Sequence, residues 1–307
     1  MAKSKIQLRE RDWSIISAIY SCQLLTTPQI SARFFPPDTR NADRDVRSNA
    51  SVSPRCRVRL KQLYEAGYLD RQEMPTTSRQ GKLPFMYFLT KKAVKMLAEK
   101  WEAPMKEMDW LPEHGKIKWW HQAHLIAIND VRLSIGIDAA DCGFELSTWF
   151  TERELKRSKI ETFLPGAKGR MRKVTLVPDA FFSLFVPGAD DTGFTYPNLV
   201  EVDRSTEHIG MHSDKEYLNH FKTKIPRYLS FYRSGGYTEY FRYDEMRVLF
   251  ITTDESRLQK MKAVTEALGG GRRFWFTTLE EITKPKTALT QPIWHIAGQE
   301  GKEPLVF

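Results

Sequence analysis

The chain has 307 residues, of which 41% are hydrophobic, and carries a formal net charge of +9 at pH 7. This length accommodates two ordinary domains, and the apolar fraction is typical of a globular protein. No run of about 18 apolar residues occurs, so no transmembrane helix is predicted, and the first residues lack the apolar stretch of a signal peptide. The cysteines, Cys22, Cys56 and Cys142, are widely spaced and odd in number. They favour a reducing cytoplasm over a disulfide framework or a cysteine-rich zinc site.

The excess positive charge is concentrated at one end of the chain. Residues 1–100 contain 19 Lys and Arg against 9 Asp and Glu, whereas residues 101–307 contain 28 against 29. A basic block on an otherwise neutral chain favours a polyanion as the partner. A solvated basic face without a partner would have the same composition.

Residues 1–110 follow the pattern of a winged helix-turn-helix domain. Apolar periodicity and capping residues predict three helices, over 9–22, from 27 and over 53–67. Two strands around a polar turn follow, over 68–73 and 85–89, and a fourth helix begins at 90. The third helix begins at Ser53-Pro54, a capping residue followed by proline, and ends at Gly67, a left-handed cap. This order of three helices, a two-stranded wing and a further helix is typical of a winged helix.

In a winged helix the third helix enters the major groove of DNA and the wing contacts the backbone or the minor groove. Basic side chains occupy both of these predicted elements, namely Arg55, Arg57, Arg59 and Lys61 on the third helix and Arg79 and Lys82 on the wing. Each of them alone could lie on a solvated face. Because they coincide with the elements that the topology assigns to DNA, we expect double-stranded DNA as the partner. A homodimer is compatible with this reading, since such domains often read two half-sites, although no coiled-coil heptads support it.

A second domain is predicted over 116–283, after a linker at 111–115 and before a C-terminal tail over 284–307. Its predicted elements are a helix over 119–140, strands over 144–150, 174–185 and 198–204, a helix over 213–232, a strand over 246–252, a helix over 255–268 and a strand over 273–277. This order indicates an α/β core, so the two domains together give an α+β fold class. Residues 153–173, with eight Lys and Arg and three glycine or proline residues, are predicted to form an exposed basic loop. Pro226 is predicted to kink or split its helix.

Three acidic residues of this domain stand in apolar surroundings, where a solvated charge is unusual. Asp179 follows Val-Pro and precedes Ala-Phe-Phe, while Glu201 and Asp203 flank Val202 in an apolar strand. Side chains at i and i+2 share one face of a strand, so we expect Glu201 and Asp203 to point the same way and Asp179 to meet them from a neighbouring strand. Grouped carboxylates repel one another, so the cluster requires a compensating cation.

Two kinds of cation can fill this role. One is Mg²⁺, with Mn²⁺ as a substitute, held by the three carboxylates and activating water against a phosphodiester. The other is a basic side chain, Arg153, Arg204 or Lys215, which would make the acids structural salt-bridge partners. The sequence leaves both alternatives open.

Several segments of the chain resemble the replication-relaxation family of plasmids and other mobile elements. These segments are Leu63-Tyr-Glu-Ala-Gly-Tyr-Leu, Tyr87-Phe-Leu-Thr90, Trp149-Phe-Thr-Glu152-Arg153, Val177-Pro-Asp179-Ala-Phe-Phe and Leu199-Val-Glu201-Val-Asp203-Arg204. The resemblance extends over residues 8–235. It implies a role in plasmid replication, mobilisation or relaxation.

The second domain also resembles the PD-(D/E)-X-K nuclease superfamily. Pro178-Asp179 matches the first acid of that pattern and Glu201 the second, but position 203 is aspartate where the pattern has lysine. In this resemblance Lys215 or Lys222, on the following helix, could substitute for the missing lysine, as in some members of the superfamily. The resemblance also assigns Glu152 as an auxiliary acid.

Two functions follow from these resemblances. In the first, the chain is a metal-dependent DNA endonuclease or nickase in which Asp179, Glu201 and Asp203 hold Mg²⁺. In the second, no lysine completes the pattern, and the chain is a DNA-binding regulator or accessory factor that keeps the nuclease-like fold without catalysis and recruits a partner protein.

Overall fold

The computed structural model describes residues 6–36, 45–75, 83–112, 117–166, 170–188, 192–204 and 214–306, without the side chains of 214–220. The chain divides into two compact units, Met1–Leu133 and Ser134–Phe307. Both contain helices and sheet, so the protein is a mixed α/β structure consistent with the predicted α+β class. No helix in the described ranges combines the length and the apolar character needed to cross a membrane.

The described residues of the first unit up to position 100 form four helices and three strands. They are α1 (Glu10–Cys22), β1 (Leu25–Thr26), α2 (Thr27–Phe34), α3 (Pro54–Glu65), β2 (Leu69–Glu73), β3 (Phe85–Leu89) and α4 (Lys91–Lys100). Strand β3 is central in the sheet and pairs antiparallel with both β1 and β2. Every helix and strand predicted for 1–100 is present in the predicted order. The two-residue β1 is additional, because so short a strand has no periodicity to detect.

Local capping residues set the boundaries of these helices. The Thr26 hydroxyl accepts a hydrogen bond from the Gln29 backbone N–H at 3.4 Å, and the Gln29 side chain accepts one from the Thr26 N–H at 2.8 Å. This reciprocal pair is a capping box, which satisfies two backbone donors at the start of α2. Helix α3 ends at Glu65, and Gly67, just beyond this end, has a φ of 75°, the left-handed conformation that glycine adopts without strain.

Helix α5 (Trp119–Cys142) contains the division between the two units. Its early turns belong to the first unit, where the Asn129 side chain donates to the carbonyls of Cys22 at 3.1 Å and Leu24 at 2.8 Å. The Gln29 side chain likewise donates to Asp130 Oδ1 at 2.7 Å. These buried hydrogen bonds tie the helix to the first unit. The boundary between the two compact units therefore lies further along the chain than the predicted linker at 111–115.

The second unit is built on a six-stranded sheet. After α5 its elements are β4 (Glu145–Thr151), α6 (Glu152–Ser158), β5 (Glu161–Pro165), β6 (Met171–Thr175), β7 (Ala180–Pro187), β8 (Gly193–Val202), α7 (Asp214–Arg233), α8 (Gly236–Phe241), β9 (Arg247–Thr252), α9 (Glu255–Ala267), β10 (Phe274–Thr278), α10 (Leu279–Thr283) and β11 (His295–Ile296). The strand order is β11-β10-β9-β8-β7-β4, and β8, β9 and β10 run parallel. Helices α7 and α9 contribute to one aromatic-rich core cluster with this sheet.

Two predictions about this unit were wrong. The described residues of 153–173 do not form the predicted loop, because α6 is followed by a hairpin of β5 and β6 in which Glu161 pairs with Lys173 at 2.5 Å. Charged residues on the exposed face of the hairpin obscured its alternation. Of the two alternatives predicted at Pro226, the split is wrong, because α7 continues through the proline, and Ile225 and Tyr228 on either side are buried in the core. The kink stays a prediction.

The prediction of a C-terminal tail over 284–307 was also wrong for the described residues. Strand β11 extends the sheet beside β10, and Trp294 is 0% exposed. Asp138 accepts hydrogen bonds from the backbone N–H of Ala288 at 2.7 Å and of Lys286 at 3.2 Å. The segment is therefore part of the core of the second unit. The apolar residues of this segment do not recur at the spacing of a helix or of a strand. For this reason the sequence suggested a tail.

Replacing Trp294 tests this packing. Trp294→Ala should lower the free energy of unfolding by about 3–5 kcal/mol, because it removes a large buried side chain and leaves a cavity. Leu268→Ala, at a position that is 38% exposed, should cost only about 0.5 kcal/mol. Urea unfolding followed by far-ultraviolet circular dichroism measures both losses. Equal losses in the two variants would contradict the packing of the C-terminal segment.

Candidate functional site

The acidic residues singled out in the sequence lie at the end of β8. Asp179 immediately precedes β7, and its backbone N–H donates to the carbonyl of Val200 at 3.0 Å. Its carboxylate Oδ2 accepts a hydrogen bond from the Val202 N–H at 2.7 Å. Asp179 is therefore fixed by the backbone of β8 itself, next to the strand that carries Glu201.

Glu201 points from β8 toward α7 and is buried. Lys224 Nζ lies 2.5 Å from Glu201 Oε2, and the Tyr228 hydroxyl donates to Glu201 Oε1. Lys224 and Tyr228 are four residues apart on α7, so their side chains lie on the same face of the helix. Both oxygens of the buried carboxylate thus have a donor from one helix. We call Asp179, Glu201, Lys224 and Tyr228 the carboxylate–lysine cluster.

The electrostatics of this cluster keep Lys224 charged. Burial raises the pKa of Glu201, and the charge of Asp179 raises it further, while Lys224 opposes both effects. Burial alone would lower the pKa of Lys224, but the charges of Glu201 and Asp179 hold it above its usual value. Burial and the Glu201 charge also raise the pKa of Tyr228, which keeps its hydroxyl protonated as a donor. An ammonium ion is therefore the compensating cation that the two carboxylates require.

Asp203 lies two residues after Glu201, and its oxygens are engaged by different partners. Its carboxylate accepts hydrogen bonds from the Thr252 hydroxyl at 2.9 Å, from Arg257 Nη2 at 3.2 Å and from Arg257 Nε. Over the ranges that the structure describes, no three His, Cys, Asp or Glu side chains form a group that could hold a metal ion. The donor oxygens of Asp179, Glu201 and Asp203 are directed at protein donors, an arrangement that does not fit the expected three-carboxylate Mg²⁺ site.

The remaining predicted residues of this site lie on α6 and α7. Glu152 begins α6 and pairs with Lys156 at 2.6 Å, one turn along the same helix. Lys222 is exposed on α7, and the Lys215 side chain lies outside the described residues. Lys224 was not among the residues predicted from the sequence. The sequence feature that could have identified Lys224 is its position three residues after Phe221 and four before Tyr228. This spacing places the lysine on the apolar face of α7, where a solvated charge is not expected.

The basic third helix of the first unit presents a second candidate surface. Arg55, Arg57 and Lys61 are exposed on α3, and Val58 between them is 58% exposed. The Arg57 guanidinium donates to the backbone carbonyl of Asn49 at 2.8 Å, and Lys61 lies 3.7 Å from Glu65 in a solvent-exposed pair. Such exposed contacts contribute little to stability and leave these cations able to meet an external anion.

Arg59 differs from its neighbours on α3 because its guanidinium is used inside the unit. It forms an ion pair with the buried Asp12 of α1 and also donates to Gln62 at 2.8 Å and to the Gln7 carbonyl at 3.0 Å. Burial by itself raises the pKa of Asp12, but hydrogen bonds from Arg59 and the Arg9 backbone lower it overall. Arg59 therefore joins α3 to α1. The predicted wing residues Arg79 and Lys82 lie outside the described residues.

The fold is consistent with the α+β class. Its two candidate functional features are the basic helix α3 in the first unit and the buried carboxylate–lysine cluster in the second. A family model described as replication-relaxation matches residues 16–241. The chain belongs to the replication-relaxation family, which connects it to the replication or relaxation of plasmids and other mobile elements. Neither a search of curated proteins nor a search of solved structures finds a match.

Removing the lysine tests the cluster. Lys224→Met should lower the free energy of unfolding by about 3–5 kcal/mol near pH 8, because it leaves the Glu201 carboxylate buried without a cation. The folded-state pKa of Glu201 is already raised and rises further in the variant, so the penalty grows as pH rises and should be smaller at pH 5 than at pH 8. Denaturant titrations at both pH values measure the effect.

The matched control is Lys222→Met, which removes the same charge from an exposed position of α7. Its unfolding free energy should change by about 0.5 kcal/mol or less at either pH. The role assigned to Lys224 is contradicted if the two variants lose the same stability, or if the Lys224→Met loss is the same at both pH values.

Proposed function

We propose that the chain is a double-stranded-DNA-binding factor that serves the replication or relaxation of a plasmid or other mobile element without cutting DNA itself. The observation that carries the DNA-binding part is the exposed basic surface of α3 in a unit whose element order matches a winged helix. The free cysteines, Cys22, Cys56 and Cys142, suit a reducing cytoplasm, where such DNA is found.

In this proposal α3 is the element that enters the major groove. Arg55, Arg57 and Lys61 contact phosphates or base edges, and Arg59 holds α3 against α1 through Asp12. The arginine anchored inside the unit orients the helix, while the exposed cations supply the affinity. Two copies on a two-fold symmetric DNA site would give the homodimer expected from the sequence.

The non-catalytic role of the second unit rests on Lys224. Its ammonium binds Glu201 directly and is coupled electrostatically to Asp179, while Tyr228 uses the other Glu201 oxygen. A carboxylate pair neutralised in this way has no need of a metal ion. The second unit then serves as the part that recruits another replication or relaxation protein.

The DNA-binding surface is tested by neutralising α3. The triple variant Arg55→Ala, Arg57→Ala, Lys61→Ala should weaken binding to duplex DNA, and the slope of log K against log salt should fall in magnitude by about 0.9 for each phosphate that is no longer neutralised. Fluorescence anisotropy with a labelled duplex over a series of salt concentrations measures both quantities. The control variant Lys91→Ala, Lys95→Ala, Lys106→Ala makes the same charge change at exposed positions of the same unit. Equal weakening in both variants would rule out α3 as the DNA surface.

A second candidate function is metal-dependent DNA cleavage, and one observation favours it. Asp179 and Glu201 both act on Lys224, which gives the acid, acid and lysine composition of a PD-(D/E)-X-K site with the lysine supplied by α7. In that case Asp179 and Glu201 would hold Mg²⁺, with Lys224 released from Glu201. The ion would supply activated water for attack on a phosphodiester.

Thermal melting with and without Mg²⁺ or Mn²⁺ distinguishes the two candidates. The non-catalytic proposal expects no metal-dependent rise in melting temperature and no nicking of supercoiled plasmid. It also expects Asp179→Asn to lower the melting temperature in chelator, because Lys224 loses one of its two compensating charges. Asp244→Asn, at an exposed position of the same unit, is the charge-matched control.

The nuclease candidate expects the opposite results. Metal at about 100 times its Kd should stabilise the fold by about 2.7 kcal/mol. Asp179→Asn should abolish that gain and any cleavage, and should raise the melting temperature in chelator by removing one repelling carboxylate. Such a metal response in the unmodified chain would overturn the non-catalytic proposal.

A further inference from the structure

The described residues of the basic stretch over 153–173, which the proposed function does not use, form a helix and two paired strands. Strands β5 and β6 pair from Glu161 opposite Thr175 to Pro165 opposite Met171. The hairpin is attached to the rest of the second unit by the Ser230 hydroxyl, which donates to the Phe163 carbonyl at 2.6 Å. We call residues 152–166 and 170–175, which comprise α6 and this hairpin, the basic arm.

The basic arm is anchored in the core of its own unit. Leu155 and Ile160 belong to the main aromatic-rich cluster, and Thr162 on the inner face of β5 is buried. The Tyr240 hydroxyl also donates to the carbonyl of Lys159 at 3.1 Å. The arm therefore presents its outer side chains from a fixed backbone, which limits the entropy lost when they bind a partner.

The charge of this stretch is opposite to that of its surroundings. Residues 152–175 contain eight Lys and Arg and three Asp and Glu, whereas the other residues of 134–307 contain 16 and 21. Two of the arm's acids form local pairs, Glu152 with Lys156 and Glu161 with Lys173. The third, Glu154, caps α6 by accepting from the Thr151 N–H at 2.7 Å.

Three cations of the arm remain available to an external anion. Lys159, Arg170 and Arg172 are exposed, and within the described part of the chain no carboxylate lies within 4.0 Å of them. A basic patch on an otherwise acidic unit concentrates a positive potential at one place. The partner that it favours is a polyanion.

The same hairpin exposes apolar side chains. Phe163 is 50% exposed and Met171 is 59% exposed, and the strand register places both on the outer face, together with Lys173. Arg170 precedes Met171 in the chain, whereas Arg172, opposite Leu164, is exposed on the other face of the hairpin. The hairpin thus carries both apolar and cationic side chains, the two kinds of contact that DNA-binding arms use. Cations neutralise phosphates, and apolar side chains enter a groove or wedge between base steps.

We propose that the basic arm is a second duplex-DNA contact, carried by the second unit independently of α3. This inference takes DNA as the ligand from the proposed function, but it assigns a different surface. Lys159, Arg170 and Arg172 neutralise phosphates, while Phe163 and Met171 contact the groove. The second unit is then itself a DNA-binding unit.

The full-length chain with Lys159→Glu, Arg170→Glu and Arg172→Glu tests the phosphate contacts. Anisotropy titrations of a labelled duplex should show a Kd raised at least about tenfold, and a log K against log salt slope smaller in magnitude by about 2–3. The control variant Lys284→Glu, Lys286→Glu, Lys302→Glu makes the same charge change at exposed positions of the second unit. It should leave the salt slope unchanged. An arm variant that binds like this control overturns the inference.

A second variant separates the apolar contacts from charge. Phe163→Ser with Met171→Ser should weaken binding at every salt concentration without changing the salt slope, because apolar contacts release no counterions. If this variant binds duplex as tightly as the unmodified chain, its exposed face serves another partner, such as an acidic protein surface, and the groove contact is rejected. Circular dichroism checks that both arm variants remain folded.

The α3 variant distinguishes failure of this inference from failure of the proposed function. If only the α3 variant loses affinity, the arm is rejected and the proposed function stands. If only the arm variant loses affinity, α3 is rejected as the DNA surface and the arm stands. Weaker binding in both variants, with both controls unchanged, supports two separate DNA surfaces.

Discussion

The buried carboxylate of Glu201 is the constraint around which the second unit is organised. Its position on β8, facing an aromatic core, requires a cation and a second donor from whichever element covers it. Helix α7 provides both, because Lys224 and Tyr228 are spaced by one turn. The docking of α7 on the sheet therefore satisfies an electrostatic requirement as well as burying apolar surface.

The same contacts of Glu201 are relevant to whether the cluster could bind a metal ion. A nuclease-like cluster functions only if its carboxylates can bind an ion, whereas in this chain the Glu201 oxygens are occupied by Lys224 and Tyr228, and the Asp203 oxygens by Thr252 and Arg257. Strong neutralisation by protein groups favours a structural role. In the proposed function, DNA is instead bound by exposed positive charge, which is present on α3 in one unit and on the basic arm in the other.

Arginines illustrate why charge in a sequence does not by itself identify a binding surface. Arg57 and Arg59 are two residues apart on α3 and were predicted to have the same role. Arg57 is exposed, whereas Arg59 is bound to the buried Asp12 of α1. Their different roles follow from which side of the helix meets α1, and this depends on packing between elements distant in sequence.

The sequence by itself determined the α+β class, the order of helices and strands in residues 1–100, and the unusual setting of Asp179, Glu201 and Asp203, since local periodicity and capping residues carry that information. The partners of those acids were decided only by the tertiary structure. Lys224 reaches Glu201 across 23 residues of chain, and Arg257 reaches Asp203 across 54. Likewise, the incorporation of residues 284–306 into the core depends on Asp138 and Trp294. Such pairings join positions that no local pattern links, because they arise from the docking of elements and not from their formation.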